Sequence, residues 1–68
     1  MSKIFGERLR ELRNEQNLSA KKLGDILKVS DATIIRWEND KMNPTIDDLY
    51  NIANYFKVSA DYLIGLED

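Results

Sequence analysis

The sequence contains no cysteine and no histidine. Without cysteine there is no disulfide framework, and folding cannot depend on an oxidising compartment. The two absences together exclude the usual zinc and haem ligand sets, so no metal and no cofactor is expected. No apolar run approaches the ~20 residues of a membrane span, and the N-terminus lacks the apolar core of a secretory leader. A cytoplasmic location away from membranes is therefore expected. Strand-like alternation, internal repeats and low-complexity segments are also missing. An enzyme is the weakest class: the carboxylates are scattered over helix surfaces, and the chain is too short to enclose much of a pocket.

What is present is a chain of 68 residues, 43% hydrophobic and 32% charged, which is a globular composition with room for one small domain, residues 1–68. A domain of this size buries only about 60% of its unfolded surface, so it folds alone with little margin. The net charge is −2, but it is unevenly spread. Residues 46–68 set Lys57 against Asp47, Asp48, Asp61, Glu67 and Asp68, whereas the first two thirds are slightly basic. That is compatible with a local phosphate footprint without a broad basic field.

Helical periodicity predicts a first helix from about Lys3 to Gln16, with Phe5, Leu9 and Leu12 as its apolar stripe. Asn17 is a stop signal of the left-handed kind. Two short helices follow within LSAKKLGDILKVSDATIIRWE, residues 18–38. Ser19 caps the second helix, roughly Ala20 to Leu27; Lys28 and Val29 turn the chain; Ser30 caps the third, roughly Asp31 to Asp40. Next comes NDKMNPT, a loop dense in turn residues, in which Pro44 forces Asn43 toward an extended conformation. Thr45 caps a fourth helix, and Asp47 and Asp48 suit its positive end. Leu49, Ile52, Ala53 and Phe56 form its stripe. Ser59 caps a short fifth helix in which Leu63 and Ile64 turn inward, and Gly65 stops it. The expectation is an all-α fold of five short helices around one core.

Two helices locked by a short turn are the helix-turn-helix arrangement, in which the second is offered to a DNA groove. At about 100° per residue, an inward Ile34 puts Trp37 and Glu38 on the inner side and Ala32, Arg36 and Asn39 on the outer side. Asp31 projects from the first turn. This outward set suits reading base edges and touching phosphates.

The residues LRELRNEQNLS at 9–19, L-x-V-S-x-x-T-I-x-x-W-E at 27–38, N-x-x-x-N-P-T at 39–45 and VSADYLIG at 58–65 resemble the Cro/repressor-type helix-turn-helix family of phage and bacterial transcription regulators. The resemblance covers residues 8–65, with the motif itself at 19–38. It implies a lambda-repressor-like DNA-binding domain. Matched position by position, it makes Asp31, Ala32 and Arg36 the base-reading residues. Ser19, Ala20, Thr33, Asn39, Lys41 and Asn43 take the places of its DNA-backbone contacts. Arg13 and Glu38 match a pair that commonly forms a structural salt bridge. The fifth helix and the loop before the fourth match the usual dimer surface, with Tyr62 and Leu66 as exposed candidates.

Some positions depart from the family pattern. Ala20 stands where Gln is usual. Asp31 stands in place of Gln, Arg or Ser; a carboxylate can accept from cytosine N4 but repels phosphates. Lys28 replaces the Gly of the turn, at a cost of ~1–2 kcal/mol if left-handed. Gly24 replaces Ala, which suits close helix contact and weakens the second helix by ~1 kcal/mol.

The candidate residues also admit plainer roles. Arg36 reads guanine or clamps a phosphate, against a solvated surface arginine. Asn39, Lys41 and Asn43 contact phosphate, against ordinary loop polarity. Asp31 reads cytosine or simply favours the helix dipole. Ile35 touches a thymine methyl, packs at a subunit contact, or is a tolerated exposed residue. Trp37 belongs to the core. Tyr50, Tyr55 and Tyr62 are rim or dimer residues, or half-buried tyrosines with solvated hydroxyls.

The expected function is a sequence-specific DNA-binding regulator, a repressor by the family's common mode. It would read a palindromic operator as a homodimer, with no small-molecule ligand and with half-sites ~34 Å apart. With no residues left for a sensing domain, either its concentration regulates it or it is the N-terminal part of something longer. The alternative is a protein-interaction module on the same fold, an antitoxin-like or anti-repressor partner with weak or lost base readout. Asp31, Ala20 and the acidic C-terminal third motivate it.

Overall fold

The computed structural model describes residues 3–68. Five helices follow in order: α1 (Ile4–Glu15), α2 (Ala20–Leu27), α3 (Asp31–Glu38), α4 (Ile46–Phe56) and α5 (Ala60–Ile64), with no strand among the described residues. Four of them start on the expected caps. Ser19, Ser30, Thr45 and Ser59 accept hydrogen bonds from the backbone N–H groups of Lys22, Thr33, Asp48 and Tyr62 at 2.9–3.1 Å. Thr45 and Asp48 close a full capping box, because the Thr45 N–H donates to Asp48 Oδ2 at 3.2 Å.

Each helix supplies the core. Phe5 and Leu9 of α1, Leu23 of α2, Ile34 and Trp37 of α3, Ile52 and Phe56 of α4 and Leu63 of α5 are buried together. Phe5 meets Trp37 edge to face at 6.3 Å. The Trp37 indole Nε1 is buried without an acceptor among the described residues. Leu12, Leu49, Ala53 and Ile64 lie at the edge, half-buried.

The structure corrects several boundaries. The first helix is one residue shorter at each end than expected. The third stops at Glu38 rather than Asp40: Asn39 is its C-cap, and Asp40 is left-handed at φ 59°. Asn17 and Lys28 are left-handed, at φ 56° and 63°, as their positions require.

The turn between α2 and α3 is built twice. Lys28-Val29-Ser30 and Lys57-Val58-Ser59 both place a left-handed lysine after a helix and a serine cap before the next. The same three residue types thus make both turns. In each, the valine N–H returns to a helix carbonyl, Val29 to Gly24 at 2.9 Å and Val58 to Ala53 at 3.1 Å.

Two glycines mark close backbone approach. A Cβ on Gly24 would lie 2.6 Å from the Val29 carbonyl oxygen, and one on Gly6 would lie 2.6 Å from the carbonyl oxygens of both Trp37 and Glu38. Gly24 thus lets α2 press on its own turn, and Gly6 lets α1 press on the end of α3.

Candidate nucleic-acid interface

The outer side of α3 is held by packing on its other sides. α2 packs on α3 more heavily than on any other helix, and α1 braces it from behind. Arg13 Nε donates to Glu38 Oε2 at 2.7 Å and Nη2 donates to Oε1 at 3.0 Å. This fork places a carboxylate that is only 4% exposed against a guanidinium that is 17% exposed. Arg13 Nη1 also donates to the Leu18 carbonyl at 2.8 Å, which ties the α1–α2 connection into the same network. Glu38 raises the Arg13 pKa above its ordinary value, chiefly by accepting the hydrogen bond; burial opposes this and Coulomb attraction adds to it. The expected salt bridge is thus present.

Ile34, Trp37 and Glu38 are buried as the helical angle requires, and Ile35, Arg36 and Asn39 are exposed. Ala32 and Thr33 are half-buried. The Arg36 and Lys41 side chains form no hydrogen bond or ion pair among the described residues, so two cations stand uncommitted at one end of α3. Asp31 turns one oxygen back on its own helix, where Oδ1 accepts from the Ala32 N–H at 2.8 Å. That geometry suits the positive end of α3. The Thr33 and Ser30 hydroxyls bond each other at 2.9 Å.

Ser19 is exposed and Ala20 half-buried at the start of α2. Ser19 takes the N–H groups of Lys22 and Leu23; those of Ala20 and Lys21 belong to the unpaired first turn of the helix and can serve an anion. Asn43 is exposed in the loop before α4.

Arg10 was not legible as part of this surface. Its Nη2 donates to Asn39 Oδ1 at 2.9 Å and to the Glu38 carbonyl at 3.3 Å. No local pattern announces this link, because the residues lie 29 positions apart.

Of its two readings, Tyr62 takes that of the half-buried tyrosine and not that of an exposed dimer candidate. The Arg8 guanidinium lies 4.2 Å over its ring, and the same guanidinium donates to the Tyr62 and Glu67 carbonyls. Leu66 is 73% exposed, as a surface candidate should be. A second apolar group stands on the first turns of α4, Ile46 and Tyr50, which are 82% and 68% exposed; Tyr50 is one of the rim or dimer candidates of the sequence, whereas sequence reading missed Ile46. The two follow helical i, i+4 spacing, but periodicity alone did not show that α4 leaves this side uncovered. Tyr55 is half-buried and its hydroxyl donates to Gln16 Oε1 at 3.2 Å.

The fold and the sequence are shared with known transcription regulators. The transcriptional activator BcrR of Enterococcus faecalis is 36% identical over 64 residues, which cover 94% of this chain and 31% of that protein. The transcriptional regulator ImmR of Bacillus subtilis is 30% identical over 64 residues, covering 94% of this chain and 50% of the relative. The chain thus spans half or less of these two curated relatives. The crystal structure of the P22 c2 repressor in complex with a synthetic operator superimposes with a TM-score of 0.82 at 30% identity, over 87% of this chain and 89% of that one. The restriction-modification controller protein C.AhdI of Aeromonas hydrophila follows at 0.76 and 25% identity, over 87% of this chain and 86% of that one. A family profile described as a helix-turn-helix domain matches residues 6–68, and the chain belongs to that family, together with these transcription regulators.

Proposed function

We propose that the chain acts as one DNA-binding unit of a transcription regulator, and that it reads a palindromic operator as a two-fold dimer with α3 in the major groove. One observation carries this reading: α3 is anchored from behind by the buried Arg13–Glu38 fork, while Arg36 and Lys41 stand uncommitted on its outer end in a protein of net charge −2. A rigid helix with a spare arginine at its exposed face is what base readout needs. In this reading Asp31, Ala32 and Arg36 face the base edges. Ser19, Ala20, Thr33, Asn39, Lys41 and Asn43 hold the sugar–phosphate backbone, with the first-turn N–H groups of α2 as further anion donors. The likeness to a repressor bound to an operator supports it, and repression by occupying the operator is the mode it favours.

The test is selection on random duplex DNA. An enriched palindrome, with half-sites ~34 Å apart, supports the reading. No enrichment at low salt would transfer the function to the alternative, a protein-interaction module on the same fold, for which the exposed Ile46 and Tyr50 beside Asp47 and Asp48 offer a surface.

A further inference from the structure

Arg10 reaches across from α1 to the C-terminal end of α3, and its contact with Asn39 decides an orientation. A guanidinium has donors only. The atom of the Asn39 amide that faces Arg10 Nη2 at 2.9 Å is therefore its carbonyl oxygen. Nδ2 is turned away from Arg10, on an exposed residue, and meets no acceptor among the described residues. Left alone, the terminal torsion of an asparagine is broad and roughly two-fold, so oxygen and nitrogen would face outward about equally. Arg10 removes that choice. It is itself held by Glu38, whose carbonyl accepts from Nη2 at 3.3 Å and whose Oε1 lies 3.5 Å from Nε. The buried Arg13–Glu38 fork thus serves as the footing for a second arginine, which in turn sets the amide.

We propose that Arg10 is a positioning residue for DNA: it holds the Asn39 oxygen inward and so presents Nδ2–H as a fixed donor to a phosphate oxygen. The inference rests on the DNA-binding reading above. The chemistry matches, because a backbone phosphate oxygen only accepts, and an amide oxygen turned toward it would be repelled. The positive guanidinium polarises the amide that it holds, which strengthens the outward donor.

The contact is to the backbone and independent of sequence, so the probe is a mixed-sequence DNA duplex at low salt. Affinity, salt dependence and thermal midpoint are measured for Arg10→Met, Asn39→Ala and the double variant. Arg10→Met should lower affinity about five- to tenfold when Asn39 is present, and by less than about twofold in the Asn39→Ala background. The salt slope should stay that of the parent, since the donor that touches phosphate is neutral. Additive losses, or a slope that falls by about 1 per half-site, would show that Arg10 touches the phosphate itself and overturn the proposal. Asn39→Asp gives an independent check on a fold that keeps its Arg10 contact. It turns the outward donor into an acceptor and should bind more weakly than Asn39→Ala; equal or tighter binding overturns the proposal. A parent without salt-dependent affinity would overturn the DNA reading itself, and this inference with it.

Discussion

Arg13 and Glu38 meet through two parallel hydrogen bonds, Nε to Oε2 at 2.7 Å and Nη2 to Oε1 at 3.0 Å, and this one pair joins α1, the α1–α2 connection and α3. Glu38 is almost fully buried, so removing Arg13 leaves its carboxylate only the longer contact to Arg10, 3.5 Å from Nε to Oε1, and removing Glu38 strands the Arg13 guanidinium. Glu38→Ala and Arg13→Ala should each cost ~3–5 kcal/mol, and the double variant less than their sum. Denaturant unfolding of the four proteins checks this, and strict additivity would show that the pair does not interact. The raised Arg13 pKa puts the arginine side of this stabilisation fully in place below the ordinary arginine range, and it is lost only as pH rises through the higher folded value. No Arg13-linked change in stability is therefore expected between about pH 6 and pH 9.

Gly24 gives an outcome opposite to helix propensity. Alanine in its place gains ~1 kcal/mol of propensity in an isolated helix. In this fold its Cβ would meet the Val29 carbonyl oxygen at 2.6 Å, and neither α2 nor the turn can yield without moving α3. Gly24→Ala should destabilise, by ~1–3 kcal/mol. A higher thermal midpoint for the variant would refute the close approach.

Lys28 and Lys57 occupy left-handed positions without any feature that favours lysine there. Replacement of Lys28 by glycine should stabilise the protein, by about 1 kcal/mol. Lys57→Gly should behave alike, and the two effects should add because the turns are separate. The midpoint of chemical denaturation, at unchanged slope, is the readout. Lys28→Gly should leave DNA affinity within about twofold, since no DNA contact is assigned to that side chain.

Arg36 and Lys41 should separate base readout from phosphate contact. Arg36→Ala should lose ~1–3 kcal/mol on the selected site and relax preference at one base position per half-site. Lys41→Ala should weaken binding to every sequence and reduce the salt slope by about 1 per half-site. Asp31→Gln should tighten non-specific binding by removing a charge that repels phosphates. Titrations at several salt concentrations check all three. Parent-like binding by both the Arg36 and Lys41 variants would mean that another surface carries the contact.

Leu66 is the cleaner probe of self-association. It is exposed, whereas Tyr62 is pinned under Arg8, so a Tyr62 variant would confound assembly with stability. Reversible dimerisation in sedimentation at high concentration, abolished by Leu66→Asp at an unchanged thermal midpoint, is the expected result. A strict monomer that binds a single half-site with full affinity would remove the two-fold arrangement.

The helix starts were legible in the sequence because capping is local. Ser19, Ser30, Thr45 and Ser59 each bond a backbone N–H three residues on, so residue type and spacing suffice. The inward stripe of α3 was legible for a similar reason, since helical geometry ties Ile34, Trp37 and Glu38 to one side. The Arg13–Glu38 pair was visible through the family pattern rather than through any local rule. Tertiary structure alone decided the remaining features. Arg10 meets Asn39 across 29 residues, and Arg8 meets Tyr62 across 54; no periodicity reports a contact between helices that dock at an angle. The same holds for Gly6, whose missing side chain matters only because the end of α3 lies against it. Local chemistry determined where each helix begins and which side faces in. The docking of α1 on α3 decided which polar groups remain on the outer surface, and in which orientation.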